Sequence, residues 1–368
     1  MTEREKQILN WIRQDPQISQ QELAEKAGIT RSSVGVHISN LIKQGYITGR
    51  GYMFPEAQEV IVVGAVNMDI GGVSNNKLVR EDSNPGIVTT SLGGVGRNIA
   101  HNMALLGIKT RLLTTFGDDT SADHIISAMN ELGVDTSLST RIRGGRTSTY
   151  LFISDEKGDM QLAINDMDIY KHLTPELIEA RGRALQKAEA IVIDTNIPKE
   201  SIEYITSHFN VPIFADPVST IKASKLKNVL GRLYTLKPNR MEAELLSGVP
   251  IRDGQSLAKA ARVLLDTGLK RVFISLGADG VFAGERDDKG EHFVKVPASA
   301  GKAVNTTGCG DAFTAALVWA YLHHLDLEDA ARAGQAASAI TMQSEKTINE
   351  SLNEDKIINA IHLKEEVQ

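Results

Sequence analysis

Asn305-Thr306-Thr307-Gly308-Cys309-Gly310-Asp311 runs directly into Ala312-Phe313-Thr314-Ala315-Ala316-Leu317. Two glycines one residue apart permit a tight turn that no Cβ obstructs. The apolar run that follows reads as a helix, whose first N–H groups lack intrahelical partners and whose dipole is positive at that end. Turn and helix together predict an anion cradle suited to a phosphoryl group in transit. Asp311 would stand at its mouth, where a carboxylate can take the proton of an attacking alcohol. An aspartate there would equally serve as a plain helix cap, and the turn alone does not separate the two. Cys309 has no histidine partner in view and reads as a small residue lending its N–H.

Upstream, Leu92-Gly93-Gly94-Val95-Gly96-Arg97-Asn98-Ile99-Ala100 again opens a helix. It does not complete Gly-x-Gly-x-x-Gly and does not follow the first strand of the fold, so it fails as a dinucleotide loop. No Gly-x-x-x-x-Gly-Lys-Ser/Thr occurs, which excludes a P-loop kinase. Glycines here let a substrate lie on the backbone, with Asn98 offering donor and acceptor to hydroxyls; a packing turn with a polar cap is the plainer alternative. Around both motifs, apolar strands alternate with amphipathic helices. The strands are Val60–Gly64, Arg111–Thr115, Ala190–Asp194, Pro212–Asp216, Tyr234–Lys237 and Arg271–Leu276. The helices fall near Asn98–Leu106, Ala122–Leu132, Pro175–Lys187, Arg240–Leu246, Ser256–Thr267 and Ala312–His323. That rhythm predicts an α/β fold with a mainly parallel sheet covered on both faces. Segments 70–90 and 145–168 carry short alternating strands, including Thr149–Ile153, and are expected to form a flap over the site.

Residues 1–55 read differently. Ile8, Leu9, Trp11 and Ile12 mark one helix. Ser19-Gln-Gln-Glu22 is a capping box for a second, with Leu23, Ala24 and Ala27 on its buried side. Thr30 caps a third that carries Val34, Ile38, Leu41 and Ile42. Tyr46 to Phe54 then gives two β-prone runs around a Gly-rich turn. Helix, helix, turn, helix and wing resemble a winged helix-turn-helix. Its third helix would expose Arg31, Ser32, Ser33, His37 and Asn40 to a major groove, with Arg50 on the wing. Seven Lys/Arg against five acids in this stretch leave it only mildly basic. A three-helix packing or dimerisation module is the alternative. Pro55–Gln58 reads as a linker.

Taken together, the two glycine motifs resemble the signatures of the PfkB (ribokinase) family of carbohydrate and nucleoside kinases, from about residue 59 to 355. The resemblance implies a Rossmann-like three-layer α/β/α ribokinase-type domain over 59–368 with a small β lid, preceded by the winged helix-turn-helix domain. It implies ATP-dependent phosphorylation of a primary hydroxyl with magnesium. Carried over by position, Asp311 is the catalytic base and Gly308, Cys309 and Gly310 the anion hole. Asn67 and Asp69 grip sugar hydroxyls, and Gly93, Gly94 and Asn98 line the same pocket. Asn239 and Glu242 match the family's Asn-x-x-Glu element for magnesium-bound water and phosphate, and Ser275, Gly277 and Gly280 approach the nucleotide. Their plainer readings are turn formers, a helix cap and a first-turn acid. The family's second signature usually begins with Asp, and that carboxylate helps hold a monovalent cation. Here Asn305 replaces it beside Thr307, which puts potassium activation in question.

The wording around Arg97, and Asn165-Asp166-Met167-Asp168-Ile169, is similar to pseudouridine kinases, which makes Asn165, Asp166 and Asn196 candidates for reading base edges. Another ribonucleoside (inosine, guanosine, cytidine), free ribose, or a ligand-sensing transcriptional regulator with a kinase fold are the alternatives. In 368 residues the formal charge is −6, so any nucleic-acid contact is local rather than global. One cysteine excludes an intramolecular disulfide and a Cys-rich zinc module. No apolar run approaches a membrane span and no secretory signal is evident, so a cytoplasmic protein, expected as a homodimer, is the default.

Overall fold

The structure is a computed structural model that describes residues 1–15, 18–47, 59–288, 290–298 and 303–362. The chain divides into two units, Met1–Gln58 and Glu59–Gln368.

In the first unit the helices Glu3–Gln14, Gln20–Ala27 and Arg31–Lys43 start on Thr2, Ser19 and Thr30, whose side chains accept from backbone N–H groups of the first turn. Ser19 and Glu22 form a reciprocal capping box, and Gly28 at φ 63 ends the second helix in the left-handed region. Ile8, Ile12, Leu23, Val34, Ile38 and Leu41 make a shared core. Ile42 stands outside it, exposed. Arg31 and Ser32 are also exposed. His37 and Asn40 depart from the groove-facing expectation. Glu5 of the first helix is buried, accepts from Asn40 Nδ2 at 3.2 Å and lies 3.8 Å from His37 Nδ1, so both side chains turn inward. Arg50 and the expected wing lie outside the described residues.

In the second unit eight strands form one sheet. Their order is Gly290–Val296, Val281–Asp287, Arg271–Ser275, Thr235–Leu236, Ile213–Asp216, Ala190–Asp194, Glu59–Val63 and Lys109–Leu113. From Arg271–Ser275 to Lys109–Leu113 every pairing is parallel; the first two strands add an antiparallel hairpin. Why the central strands are apolar on both faces is seen in Val60–Val63. Val60 and Val62 pack into one core with helices Val95–Leu105, Cys309–Leu322 and Leu327–Thr341. Ile61 and Val63 pack into a second core with Lys199–His208 and Gly254–Asp266. Alternate side chains therefore enter opposite cores, which is the three-layer α/β/α arrangement.

A separate sheet of four strands, in the order Gly86–Gly93, Asn67–Ser74, Thr149–Ser154, Met160–Asp166, uses the segments expected to form the flap. Pairing runs Asp69 with Ser91 and Tyr150, and Tyr150 with Asn165. One face therefore carries Asn67, Asp69, Tyr150 and Asn165. The other carries Ile70, Val88, Leu151, Ile153, Leu162 and Ile164, with Val88 as much as 71% exposed.

Candidate active site

The parallel strands deliver polar residues at their carboxyl ends, where open α/β sheets bind ligands. Asp194 and Asp216 end their strands, Lys237 follows Thr235–Leu236, and Ser275 ends Arg271–Ser275. Gly64, after the first strand, makes room for Asp194: a Cβ there would stand 2.4 Å from Asp194 Oδ2. Asp194 in turn accepts from the backbone N–H of Ala65 and of Asn196, each at 2.8 Å, and so anchors the start of the segment that carries Asn67.

Helix Cys309–Leu322 begins on Gly308, at φ 84 and with no side-chain cap. A Cβ on Gly308 would come within 2.1 Å of Thr347 O, so glycine is required there on both counts. The first helical bond runs from Ala312 N to Gly308 O at 3.0 Å, and the N–H groups of Gly310 and Asp311 have no backbone acceptor among the described residues. Cys309 N–H reaches Thr306 O at 3.4 Å. Asp311 does not cap this helix. It is buried, and Asn98 Nδ2 donates to its Oδ2 at 2.7 Å. Burial foremost, then the charge of Asp216, pushes the Asp311 pKa up to about 7, against the Asn98 hydrogen bond and Lys237.

Lys237 brings a buried cation to this site. Its Nζ lies 3.4 Å from Asp216 Oδ2, and 3.2 Å from where a Cβ on Gly310 would stand. Thr314 Oγ1 donates to the same Asp216 oxygen at 3.1 Å. Burial works against the ammonium, but Asp216, Glu242 and Asp311 outweigh it, and its pKa is raised. A charged lysine thus stands beside the open helix start.

Beyond this turn lies a cavity of about 620 Å³ lined by Lys237, Ser275, Gly277, Gly280, Cys309 and Gly310. Gly280, at φ 88, brings the chain so close that a Cβ would meet Val296 O at 2.1 Å. Asn239 and Glu242 are joined in a capping box: Asn239 Oδ1 accepts from Glu242 N, and Glu242 Oε2 from Asn239 N, both at 2.9 Å. Asn239 also bridges to Ser275. Glu242 is buried, with its pKa raised foremost by burial, and its Oε1 is the oxygen left over from the cap. Among the described residues no group of three or more His, Cys, Asp or Glu could hold a metal alone. A carboxylate oxygen not used by the cap, close enough to Lys237 to raise its pKa, fits a divalent ion held mainly by phosphates and water.

On the small sheet, Asn67 Nδ2 donates to Asp69 Oδ1, and Asn67 Oδ1 is buried without a partner among the described residues. An orphaned acceptor of this kind suits a ligand hydroxyl. Gly93 leaves room for Asp69, since a Cβ would stand 2.2 Å from Asp69 Oδ2, and Gly94, at φ 96, lies against Ala65 O. Asn165 shares the Asp69 face. Asp166 does not: strand alternation turns it to the opposite face, where it lies 3.8 Å from Arg146. Asn196 Oδ1 accepts from Lys222 Nζ at 2.5 Å, so a lysine already answers it.

Asn305 is tied into its own loop and to Glu345. Its Oδ1 accepts from Thr307 N at 2.9 Å, and its Nδ2 donates to Glu345 O at 3.0 Å.

Lys237, Asp216, Asp194 and Arg97 were not singled out from sequence. The signal was there for the first three: each is the polar residue closing an apolar strand. Arg97 sits inside the second glycine motif, and its role needed coordinates.

Residues 57–355 match the model of the pfkB family of carbohydrate kinases, and residues 1–48 match a winged helix-turn-helix DNA-binding model. The chain belongs to the pfkB family. It is 38% identical over 307 residues to the pseudouridine kinase of Escherichia coli K12, an alignment covering 83% of this chain and 97% of that one. It is 37% identical over 362 residues to YeiI, an uncharacterized sugar kinase of the same organism, covering 98% and 99%. The ribokinase structure from Thermotoga maritima superposes with a TM-score of 0.71 at 26% identity, over 83% of this chain and 99% of that one. The protein is therefore a sugar or nucleoside kinase, a phosphotransferase acting on an alcohol group with ATP and a divalent metal. Among the described residues no helix is long and apolar enough to cross a membrane.

Proposed function

We propose that the chain transfers the γ-phosphoryl group of ATP to the 5′-hydroxyl of a ribonucleoside, pseudouridine, with Asp311 as general base. The observation that carries this reading is the buried Asp311 carboxylate, held by Asn98 at the open start of a helix with Lys237 beside it. Asn67 Oδ1 and Asp69 take the sugar hydroxyls and hold the attacking oxygen in line. Asp311 accepts the proton of that hydroxyl as its oxygen bonds to phosphorus and the bond to the ADP oxygen breaks. The N–H groups of Gly310 and Asp311 and the Lys237 ammonium meet the charge on the phosphoryl oxygens. Glu242, with Asn239 beside it, would hold a divalent ion, Mg2+ in this reading, which would supply charge neutralisation on the phosphates. The 38% identity to a pseudouridine kinase and the Asn165 position on the Asp69 face support the nucleoside. The test is a phosphorylation screen with ATP and magnesium. Pseudouridine should give a higher kcat/KM than ribose or fructose 6-phosphate. A sugar in first place would overturn the nucleoside; inosine or cytidine in first place would overturn the base.

Potassium should stimulate turnover less in this protein than in an Asn305→Asp variant. A carboxylate at a partly dehydrated site attracts a cation far more than an amide does, and this amide is already engaged. An equal response in both proteins would mean that other ligands dominate.

A second reading adds to the first. The match of residues 1–48 to a DNA-binding model, with Arg31 and Ser32 exposed, supports DNA binding by the first unit. Affinity should fall steeply with salt as phosphate contacts release counterions, and Arg31→Ala and Arg50→Ala should weaken it. Gel shifts on fragments around the protein's own gene check this; no retarded fragment at low salt leaves an interaction module. Deleting residues 1–58 should leave kinase activity, because the second unit has its own cores.

A further inference from the structure

Arg97 is the most deeply buried guanidinium near the site, and its partners form one continuous chain. Its Nη2 donates to Leu92 O at 2.5 Å and to Asn98 Oδ1 at 2.7 Å. Its Nη1 donates to His101 Nδ1 at 3.0 Å. Arg97 carries no acceptor, so His101 Nδ1 must accept and the imidazole proton must sit on Nε2. From there it donates to Glu350 Oε2 at 3.3 Å. At the other end, Asn98 Nδ2 donates to Asp311 Oδ2.

We propose that Arg97 is a positioning residue for the general base: by holding Asn98 Oδ1 it fixes the amide so that Asn98 presents a donor to Asp311, with His101 and Glu350 holding Arg97 in turn. The proposal rests on the reading of Asp311 as the base.

The amide has two orientations, and the neighbours permit one. Rotated by half a turn, Asn98 would aim its NH2 at the guanidinium and its oxygen at the carboxylate, losing two hydrogen bonds and gaining two repulsions. In the observed orientation Asp311 Oδ2 is engaged by Asn98, and Oδ1 is the oxygen left for the acceptor hydroxyl. The bond to Leu92 O links the same guanidinium to the strand Gly86–Gly93, which ends beside Asp69. Lid strand, acceptor grip and base are thus referred to one side chain. Arg97 also adds charge. Asp216 and Asp194 push against ionisation of Asp311, whereas Lys237 and Arg97 favour it. Without Arg97 the base should need a higher pH to ionise.

The experiment compares Arg97→Gln and Arg97→Lys with wild type, in parallel with Asp311→Asn. Arg97→Gln should lower kcat by about 10–100-fold. KM for ATP should stay within about threefold, since Arg97 touches no part of the nucleotide cavity. The acid limb of the kcat/KM profile should move up by roughly half a pH unit or more. Arg97→Lys keeps the charge but offers a single nitrogen, which cannot span from His101 to Leu92 O and Asn98 as Nη1 and Nη2 do, so it should restore the acid limb and only part of kcat. In an Asp311→Asn background, Arg97→Gln should change turnover by less than about threefold, because its effect runs through the carboxylate. Should Arg97→Gln not fold, Arg97→Lys carries the same comparison. Full turnover in Asp311→Asn would overturn the base reading itself. Loss in Asp311→Asn with unchanged kcat in Arg97→Gln, or with the two losses multiplying, would overturn this proposal alone.

Discussion

Asp311→Asn should lose about 10²–10⁴ in turnover, the usual worth of a general base. ATP binding should survive, because the cavity beyond Gly310 is lined by other residues. The variant should also be no less stable than wild type at pH 8. Burial and Asp216 hold the Asp311 pKa in the folded protein at about 7, above its unfolded value. The folded state therefore binds that proton more tightly, and the associated stability is full below the ordinary carboxylate range and lost as pH rises to about 7. An amide in its place avoids that loss. Turnover in wild type should rise with pH through the same region, as the base ionises. Thermal melts and kcat at several pH values check both halves. Turnover within about threefold of wild type would sink Asp311 as base.

Lys237→Met should have the second large effect. It removes the buried cation that faces Asp216 and the Gly310 turn while keeping the length of the side chain. Breaking a buried pair from one side costs about 3–5 kcal/mol, because the other charge stays behind. Urea unfolding near pH 7 would show it. Turnover should fall by about 10²–10³, the worth of one preorganised donor to transition-state charge. Pairing Lys237→Met with Asp216→Asn separates the two roles. The double variant should recover much of the stability and none of the turnover. A double variant with normal turnover would reduce Lys237 to a counter-ion for Asp216.

How far the sequence reached depends on the range of the interactions involved. The central parallel strands were legible because burial on both faces makes them continuous apolar runs, as in Val60–Val63 and Ala190–Ile193. The hairpin Val281–Asp287 and Gly290–Val296 was missed, since its second strand is only partly buried and mixes polar and apolar residues. Asp311 and Asn98 were legible because glycines mark each helix start. That the two touch was not, and neither was the Lys237–Asp216 pair: only the order of strands in the sheet makes neighbours of such residues. Asp166 went astray by one position, for a strand's two faces differ by a single step and the register was not available. Asn40 was misjudged because a buried glutamate on another helix accepts from its amide, and His37 lies beside the same carboxylate. Asn239 and Glu242 show the limit of a pattern. The same four residues spell a phosphate-site element and a helix capping box, and the capping box is formed.

The small sheet also bears on how the chain acquires its structure. Its central pairing joins Met68–Val73 in parallel to Thr149–Ser154, with a strand of the main sheet and two helices lying between them in sequence. Such non-local closure carries a loop entropy that local contacts do not repay, and pairings of this kind form slowly. The large sheet can nucleate from its adjacent strand–helix units first. Asn67, Asp69 and Asn165 then come onto one face only when the late pairing closes. During refolding, competence for nucleotide should therefore return ahead of competence for the acceptor. A chain held between the two stages presents the unpaired edge of Asn67–Ser74, which makes that interval the one most exposed to misassembly.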